Sequence, residues 1–524
     1  MPHLRHRIMS VVLAAATAFS LAAAAPVATA EPTTECAPDP ATPKQQLRAE
    51  WIASVANIDW PSATGLPADQ QKAELVRWYD EAVALGLNAV VVQVRPTADA
   101  FWPSPFEPWS HWLTGTQGQD PGYDPLAFAV EEAHKRNLEF HGWFNPYRVS
   151  MGTDVNALVP SHPARVHPEW VLPYGGKLYY NPGIPEVRKF TIDAIMDAVE
   201  KYDIDAVHFD DYFYPYPVAG QVFDDAATYA QYGDGLSLAD WRRKNVDLLI
   251  SELSAGIRSA KPWVQFGISP FAIWRNASTD PAGSPTQGGV QTYDDLYADT
   301  VKWVRQEWID YITPQVYWNI GFEIADYAKL VPWWSDIVAG TDVNLYIGHA
   351  NHKVANPAQP PAWQDPNEMS RQLTFNQDYP EVGGDIYFSA AQVRANRLEH
   401  MTIVKEDHYQ QPAFAPTADR LVARGPSAPL IADVSRTSSG VRVRWVANRA
   451  TSYAVYRLDG HGFVGRCDLA DATHLVGTVR AVRGALQSFT DTTAVPGKRY
   501  TYVVTALDRS GNESRSSAPR FTRA

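Results

Sequence analysis

The amino-acid sequence predicts an α/β fold: a (β/α)8 TIM barrel followed by a small all-β, fibronectin type III-like sandwich. Three observations predict it. Eight short β-like runs alternate with helical patterns between residues 48 and 410. In five of those runs one face is apolar while the other turns polar toward its C-terminal end, as a barrel with its site at the C-terminal mouth requires. The last hundred residues then lose the helical pattern and become short alternating runs broken by turn residues. An open doubly wound sheet rarely reaches eight such units, and no Gly-rich nucleotide fingerprint follows the first run.

Taken in order, Arg5 and Arg7 precede an Ala-rich apolar run from Val11 to Ala25, and Ala28-Thr29-Ala30 offers a small-x-small cleavage site. Residues 1–30 therefore read as a cleaved signal peptide, and the protein is expected to be secreted or cell-wall associated. Cys36 lacks the small, apolar context of a lipid-attachment site, and no later run is long and apolar enough to span a bilayer. Residues 31–47 form a Pro/Thr-rich linker, and residues 48–410 the barrel. Its strands are predicted at 51–58, 89–95, 139–144, 206–210, 264–269, 311–317, 344–349 and 385–389, with helical patterns at 70–85, 125–135, 186–201, 238–260, 294–307, 369–375 and 391–404. The fourth strand divides into Val207 and Phe209 against His208 and Asp210, the second into Val92 and Val94 against Gln93 and Arg95. The third divides into Phe140 and Phe144 against His141, Trp143 and Asn145. A linker at 411–426 leads to the sandwich at 427–524, where Trp445 sits on an early strand and Pro496-Gly-Lys-Arg-Tyr500 resembles the turn into a tyrosine corner.

The formal net charge of −13 argues against nucleic acid and anionic membranes as partners. Eighteen Trp and 25 Tyr suit both a large core and platforms for sugar rings. Export permits a disulfide between the two cysteines, Cys36 and Cys467. His349 and His352 have no further ligands nearby in the sequence, so neither a metal nor an organic cofactor is expected.

The chemistry concentrates in His208-Phe-Asp-Asp-Tyr212, two adjacent carboxylates at a strand end before an aromatic-proline loop. Aspartate is a poor strand former and costly to bury alone, so the pair calls for a functional reason. Close carboxylates push each other's pKa values apart, which suits one of them to donate a proton near neutral pH. The fifth strand runs into Ser269-Pro270 and the sixth into Thr313-Pro-Gln-Val-Tyr-Trp-Asn319, both without an acid to complete a pair across a sugar. That favours substrate-assisted hydrolysis, in which a 2-acetamido group is the nucleophile, Asp210 orients it and Asp211 is the acid, or the reverse. Tyr317 would hydrogen-bond the intermediate. A pair recruiting Asp99 or Glu107 from the second loop is the alternative. Arg95, Asn145 and Arg148 are candidate donors to sugar hydroxyls or a lactyl carboxylate, Tyr212, Gln315 and Trp318 a candidate subsite wall, and Asn57 and Asp59 further contacts after the first strand. Trp102, Trp109 and Trp112 are either stacking platforms or loop packing.

The stretches Trp51-Ile-Ala-Ser-Val-Ala-Asn-Ile-Asp-Trp-Pro61, Val92-Gln-Val-Arg-Pro96, Phe144-Asn-Pro-Tyr-Arg148, Asn181-Pro-Gly183, His208-Phe-Asp-Asp-Tyr212 and Thr313-Pro-Gln-Val-Tyr-Trp318 together resemble the glycosyl hydrolase-like 10 family of exported bacterial proteins. The resemblance implies a barrel glycosidase acting on a polysaccharide, peptidoglycan strands lacking stem peptides. It does not fix the catalytic pair. A cell-wall glycan-binding protein that keeps the cleft without turnover is the rival from another class.

Overall fold

Val-rich segments that are apolar on both faces bury best as central parallel strands, and the second strand shows it: all seven residues of Ala89–Arg95 are buried. The computed structural model describes residue 36 and residues 39–524; the leader expected at 1–30 lies outside the described residues. Eight strands form a closed, all-parallel ring in sequential order: β1 (Leu47–Ile52), β2 (Ala89–Arg95), β3 (Glu139–Phe144), β4 (Ala206–Phe209), β5 (Gln265–Ile268), β6 (Tyr311–Ile312), β7 (Asn344–His349) and β8 (Val382–Tyr387). Pairing of Leu47 with Gly384 and of Glu50 with Tyr387 closes it.

The expected alternation holds. Val90, Val92 and Val94 face outward and pack under the helices with Leu75, Tyr79, Val207 and Phe209. Ala89 and Val91 face inward and share a separate interior cluster with Trp51, Trp143, Ala206, Tyr311 and Tyr346. Helices start where side chains satisfy free N–H groups: Asp124 accepts from Ala127 N before Pro125–Lys135, and Ser237 from Asp240 N before Leu238–Ala260. Gly267 on β5 has a packing role, since a Cβ there would lie 1.9 Å from the Tyr311 ring at the barrel centre.

Three expected strands move by more than one residue at an end. The first begins four residues earlier, at Leu47, and stops at Ile52, because Val55–Asn57 is a 3-10 turn in which Ala56 (φ 55°) and Asn57 (φ 50°) leave the extended region. The sixth stops after two residues at Thr313-Pro314, where proline has no N–H for the ladder. The chain beyond it keeps only isolated bridges from Gln315 to Phe271 and Gly348. The eighth starts three residues earlier than expected, at Val382. An unforeseen three-stranded antiparallel sheet, Arg148–Ser150, Lys177–Tyr180 and Val171–Tyr174, follows β3. Its hairpin turns at Gly175-Gly176, both at positive φ, a turn pair the sequence displayed between two short apolar runs.

The C-terminal residues form two antiparallel sheets. Leu430–Thr437, Gly440–Val446 and Leu486–Asp491 make one, and Leu475–Arg480, Ser452–Asp459, Arg499–Leu507 and Arg520–Arg523 the other, around Trp445, Tyr453 and Tyr502. This module sits against the N-terminal face of the barrel. Arg509 pairs with Asp203 and Asp205 just before β4, and Asn137 Nδ2 donates to Thr478 Oγ1 at 3.1 Å. Arg420, in the connecting segment, pairs with Asp310 just before β6. Neither cysteine is a free thiol. Among the described residues no helix is long and apolar enough to cross a membrane.

Candidate active site

Register decides which side chains meet at the mouth. Trp143 on β3 is level with His208 on β4, so two residues on, Asn145 and Asp210 also face one another on the inward row. Asp210 is 4% exposed. It accepts from Asn145 Nδ2 at 3.1 and 3.0 Å, from Trp143 Nε1 at 3.1 Å and from Tyr212 N at 3.1 Å. Asp211 is 8% exposed. It accepts from the Tyr216 hydroxyl and, at 3.1 Å, from Gln315 Nε2, which the Ser269 carbonyl also holds at 2.8 Å.

The two acids differ electrostatically. Burial raises the pKa of Asp210, while the Arg148 guanidinium and the donors from Asn145, Tyr212 and Trp143 oppose the rise. Burial also raises Asp211, and there the charge of Asp210 adds to it, so that Asp211 is pushed up to about 6 despite Tyr216 and Gln315. The Arg148 charge and the three donors thus favour the ionised form at Asp210, while the charge of Asp210 favours the protonated form at Asp211. Tyr317 lies near enough for the charge of Asp211 to act on it. Burial, then Asp211, holds its pKa well above the ordinary phenol range, which keeps it a donor.

Half-exposed rings border the pair. Tyr212 meets Tyr216 edge-on at 5.5 Å between centroids, Tyr216 meets Phe271 at 6.3 Å, and Phe271 meets Trp318 at 5.5 Å. Tyr317 packs on His352 at 5.3 Å and Phe388 at 6.1 Å. The structure thus gathers Asp210, Asp211, Tyr212, Asn145, Arg148, Gln315, Tyr317 and Trp318 at one mouth. Tyr216, Phe271 and Trp143 join them without having been singled out. The signal for Tyr216 was its place in the aromatic-proline loop, and for Trp143 the inward row of β3.

Three candidates are corrected. Asn57 Nδ2 donates to the Pro61 and Trp112 carbonyls at 2.8 and 3.0 Å, which ties down its own loop. Asp59 accepts from Ala53 N, Ser389 Oγ and Ala391 N at 2.8 to 2.9 Å, and burial pushes it up to about 6; it joins the loop after β1 to the end of β8. Arg95 is fully buried in a two-point ion pair with Glu107 and donates to the Asn145 and Pro146 carbonyls. It positions the strand end that carries Asn145 and does not face the mouth. That pairing also removes Glu107 as a second acid, and Asp99 is fully buried with Thr97 N on its carboxylate at 3.1 Å. Trp102 is core, its indole N–H on Asp197 at 2.8 Å. His349 hydrogen-bonds Gln372 and Asp385, and among the described residues no three His, Cys, Asp or Glu side chains are grouped to hold a metal.

The glycosyl hydrolase-like 10 family matches residues 46–365, the greater part of the barrel. Glycosyl hydrolase YngK of Bacillus subtilis (strain 168) is 49% identical over 483 residues, covering 90% of this chain and 92% of that protein. Glycosyl hydrolase DigH of Escherichia coli (strain K12) is 41% identical over 373 residues, 67% of this chain and 84% of its own. Among solved structures, the glycoside hydrolase domain of PgaB (BpsB) from Bordetella bronchiseptica superposes with a TM-score of 0.45 at 13% identity, over 70% of this chain and 99% of that one. An eight-stranded barrel matched over most of its length by one family, in a chain half identical to a glycosyl hydrolase along nearly its whole extent, leads to one assignment: this protein is a glycoside hydrolase of the glycosyl hydrolase-like 10 family.

Proposed function

We propose that this hydrolase is exported and cleaves an N-acetylated cell-wall glycan, peptidoglycan strands lacking stem peptides, with the substrate's own acetamido group as nucleophile. The observation that carries the proposal is the pairing of two adjacent buried acids in unlike surroundings, with no acid on the strand ends that face them. Asp210, ionised and held by three side-chain and main-chain donor groups, accepts the acetamido N–H and stabilises positive charge there. The acetamido oxygen attacks the anomeric carbon as the glycosidic C–O bond breaks, and Asp211 gives its proton to the leaving oxygen. Asp211, now a base, takes a proton from the water that opens the cyclic intermediate, which restores both acids. Tyr317 donates to the intermediate, and the rings of Tyr212 and Trp318 bear on the sugar faces. Residues 1–30 support export. Three strands facing four, with the Tyr500 hydroxyl accepting from Val495 N at 3.1 Å, support a fibronectin type III-like reading of the C-terminal module.

The test incubates the mature protein with denuded glycan strands and follows new reducing ends by mass spectrometry. Wild type yields fragments, and Asp210→Asn and Asp211→Asn each lose about 10²–10⁴-fold in rate. Co-sedimentation with cell walls but no fragments would replace the enzyme on this substrate by a binding protein. A 2-fluoro sugar that labels the protein covalently would exclude the acetamido route.

A further inference from the structure

We infer that Arg148 reads a free carboxylate on the sugar whose bond is cleaved, and that this contact is what selects glycan from which the peptides have been removed. The inference rests on the proposed function. Arg148 follows β3 and is 5% exposed. Its main-chain N–H donates to Asn145 Oδ1 at 2.9 Å, its Nε to the Pro96 carbonyl at 3.2 Å, and its guanidinium lies 5.1 Å from the centroid of the Tyr212 ring. Among the described residues, its two terminal nitrogens make no hydrogen bond and no ion pair, and they are not sealed from solvent. Its charge nevertheless acts on Asp210, Tyr179 and Tyr212, which places it at the mouth.

Terminal guanidinium nitrogens that reach solvent at the mouth and have no protein acceptor leave their hydrogen bonds to water, which a ligand's acceptor can replace. Contrast Arg95, at the end of the neighbouring strand β2, which carries its own carboxylate in Glu107. A guanidinium fork left open in this way suits a planar carboxylate. The chemistry of the sugar points the same way. In a muramic residue the acetamido group is on C2 and the lactyl ether on the adjoining C3. If Asp210 holds the C2 acetamido group, the neighbouring cation is placed for the C3 substituent. Once a peptide is attached, the lactyl carboxylate is a neutral amide and the chain must continue outward from that point. The guanidinium beside the Tyr212 ring then meets no carboxylate on C3, and the peptide must run past it.

The test compares denuded strands with the same strands after their lactyl carboxylates have been converted to methylamides. Wild type prefers the free carboxylate by about 10–100-fold in kcat/KM, the range of a charge-assisted hydrogen bond. In Arg148→Gln the ratio between the two substrates falls close to one, and in Arg148→Lys it is partly kept. Equal cleavage of both substrates by wild type overturns the inference while leaving the proposed function intact. So does an Arg148→Gln enzyme that keeps the full preference. Cleavage of neither substrate by wild type overturns the proposed function and this inference together. The wild-type comparison needs no variant, so a poorly folded Arg148→Gln cannot shield the idea.

Discussion

Replacing Tyr216 by Phe should move the alkaline limb of the pH–rate profile upward. In the proposed mechanism Asp211 acts as an acid in its protonated form, so activity should fall as pH rises through its pKa, about 6. Asp210, Tyr212 and Tyr317 act on it through their charge or polarity, Tyr216 and Gln315 donate hydrogen bonds to it, and Arg148 acts on its partner Asp210. Donating to the Asp211 carboxylate, the Tyr216 hydroxyl stabilises the ionised form. Its removal therefore favours the protonated form. A hydrogen bond to a charged group contributes about 1.5–3 kcal/mol and one pH unit corresponds to about 1.4 kcal/mol, so a limb shifted by about one to two pH units is expected. Initial rates of reducing-end release from denuded glycan, measured from about pH 5 to 9, read this directly. The fold should change little, since the ring remains to pack against Tyr212 and Phe271. A limb that stays in place, or moves down, would refute the assignment of Asp211 as the acid held by Tyr216.

Glu107→Gln leaves the fully buried Arg95 without its anion, and should cost about 3–5 kcal/mol in urea unfolding together with lower turnover, because Arg95 also fixes the Asn145 carbonyl. Turnover lost with stability unchanged would restore Glu107 as a candidate acid. Arg509→Ala removes a cation from Asp203 and Asp205 at the module contact and should destabilise the chain by about 1–3 kcal/mol while leaving kcat alone. Burial alone would raise Asp205, but the His134 hydrogen bond and the charges of His134, Arg509 and Arg480 outweigh it and hold its pKa well below the usual carboxylate range. The stability difference between wild type and variant should thus be complete above the ordinary aspartate range and shrink as acid protonates Asp205. A difference that grows in acid would contradict this.

The parts of the fold legible in the sequence were those written in period-two alternation. The bounds of β2, β3 and β7 needed no correction, and the inward placing of Trp143, Asn145, His208 and Asp210 followed from the pleat alone. What escaped was set by contacts distant in sequence. Asn57, Asp59 and Arg95 are polar residues at strand ends, as Asn145 and Arg148 are, and sequence position cannot distinguish them. Arg95 leaves the site only because Glu107, twelve residues on, folds back beneath it, and Asp59 because Ser389 and Ala391, some 330 residues away, meet it. Proline in Thr313-Pro314 could have shortened the sixth strand in advance, since the missing N–H is a property of the residue itself. The role of Tyr216 was beyond reach for a different reason: it depends on how the loop of residues 212–217 turns back on Asp211.

The interior beneath the mouth completes the electrostatic argument. Trp51 Nε1 lies 3.1 Å from His208 Nε2, and an indole N–H can only donate. With Trp51 donating to Nε2, beside which the Ser269 hydroxyl also lies at 2.9 Å, His208 carries its hydrogen on Nδ1 and donates to the Tyr311 hydroxyl at 3.0 Å. Tyr311 in turn directs its own hydrogen to His141 Nδ1 at 2.9 Å, which leaves His141 to donate from Nε2 to Glu139 at 3.1 Å. One residue that cannot accept thus sets the direction of every bond down to the N-terminal face. Burial, then the neighbouring His141, keeps the pKa of His208 well below the usual histidine range, so the ring under Asp210 stays neutral. A charged imidazole there would draw both acids down and take the proton from Asp211. With His208 neutral, a cation acting on the pair is Arg148, on the side of Asp210. That asymmetry favours the ionised form at Asp210 and, through the charge of Asp210, the protonated form at Asp211, as the proposed mechanism requires.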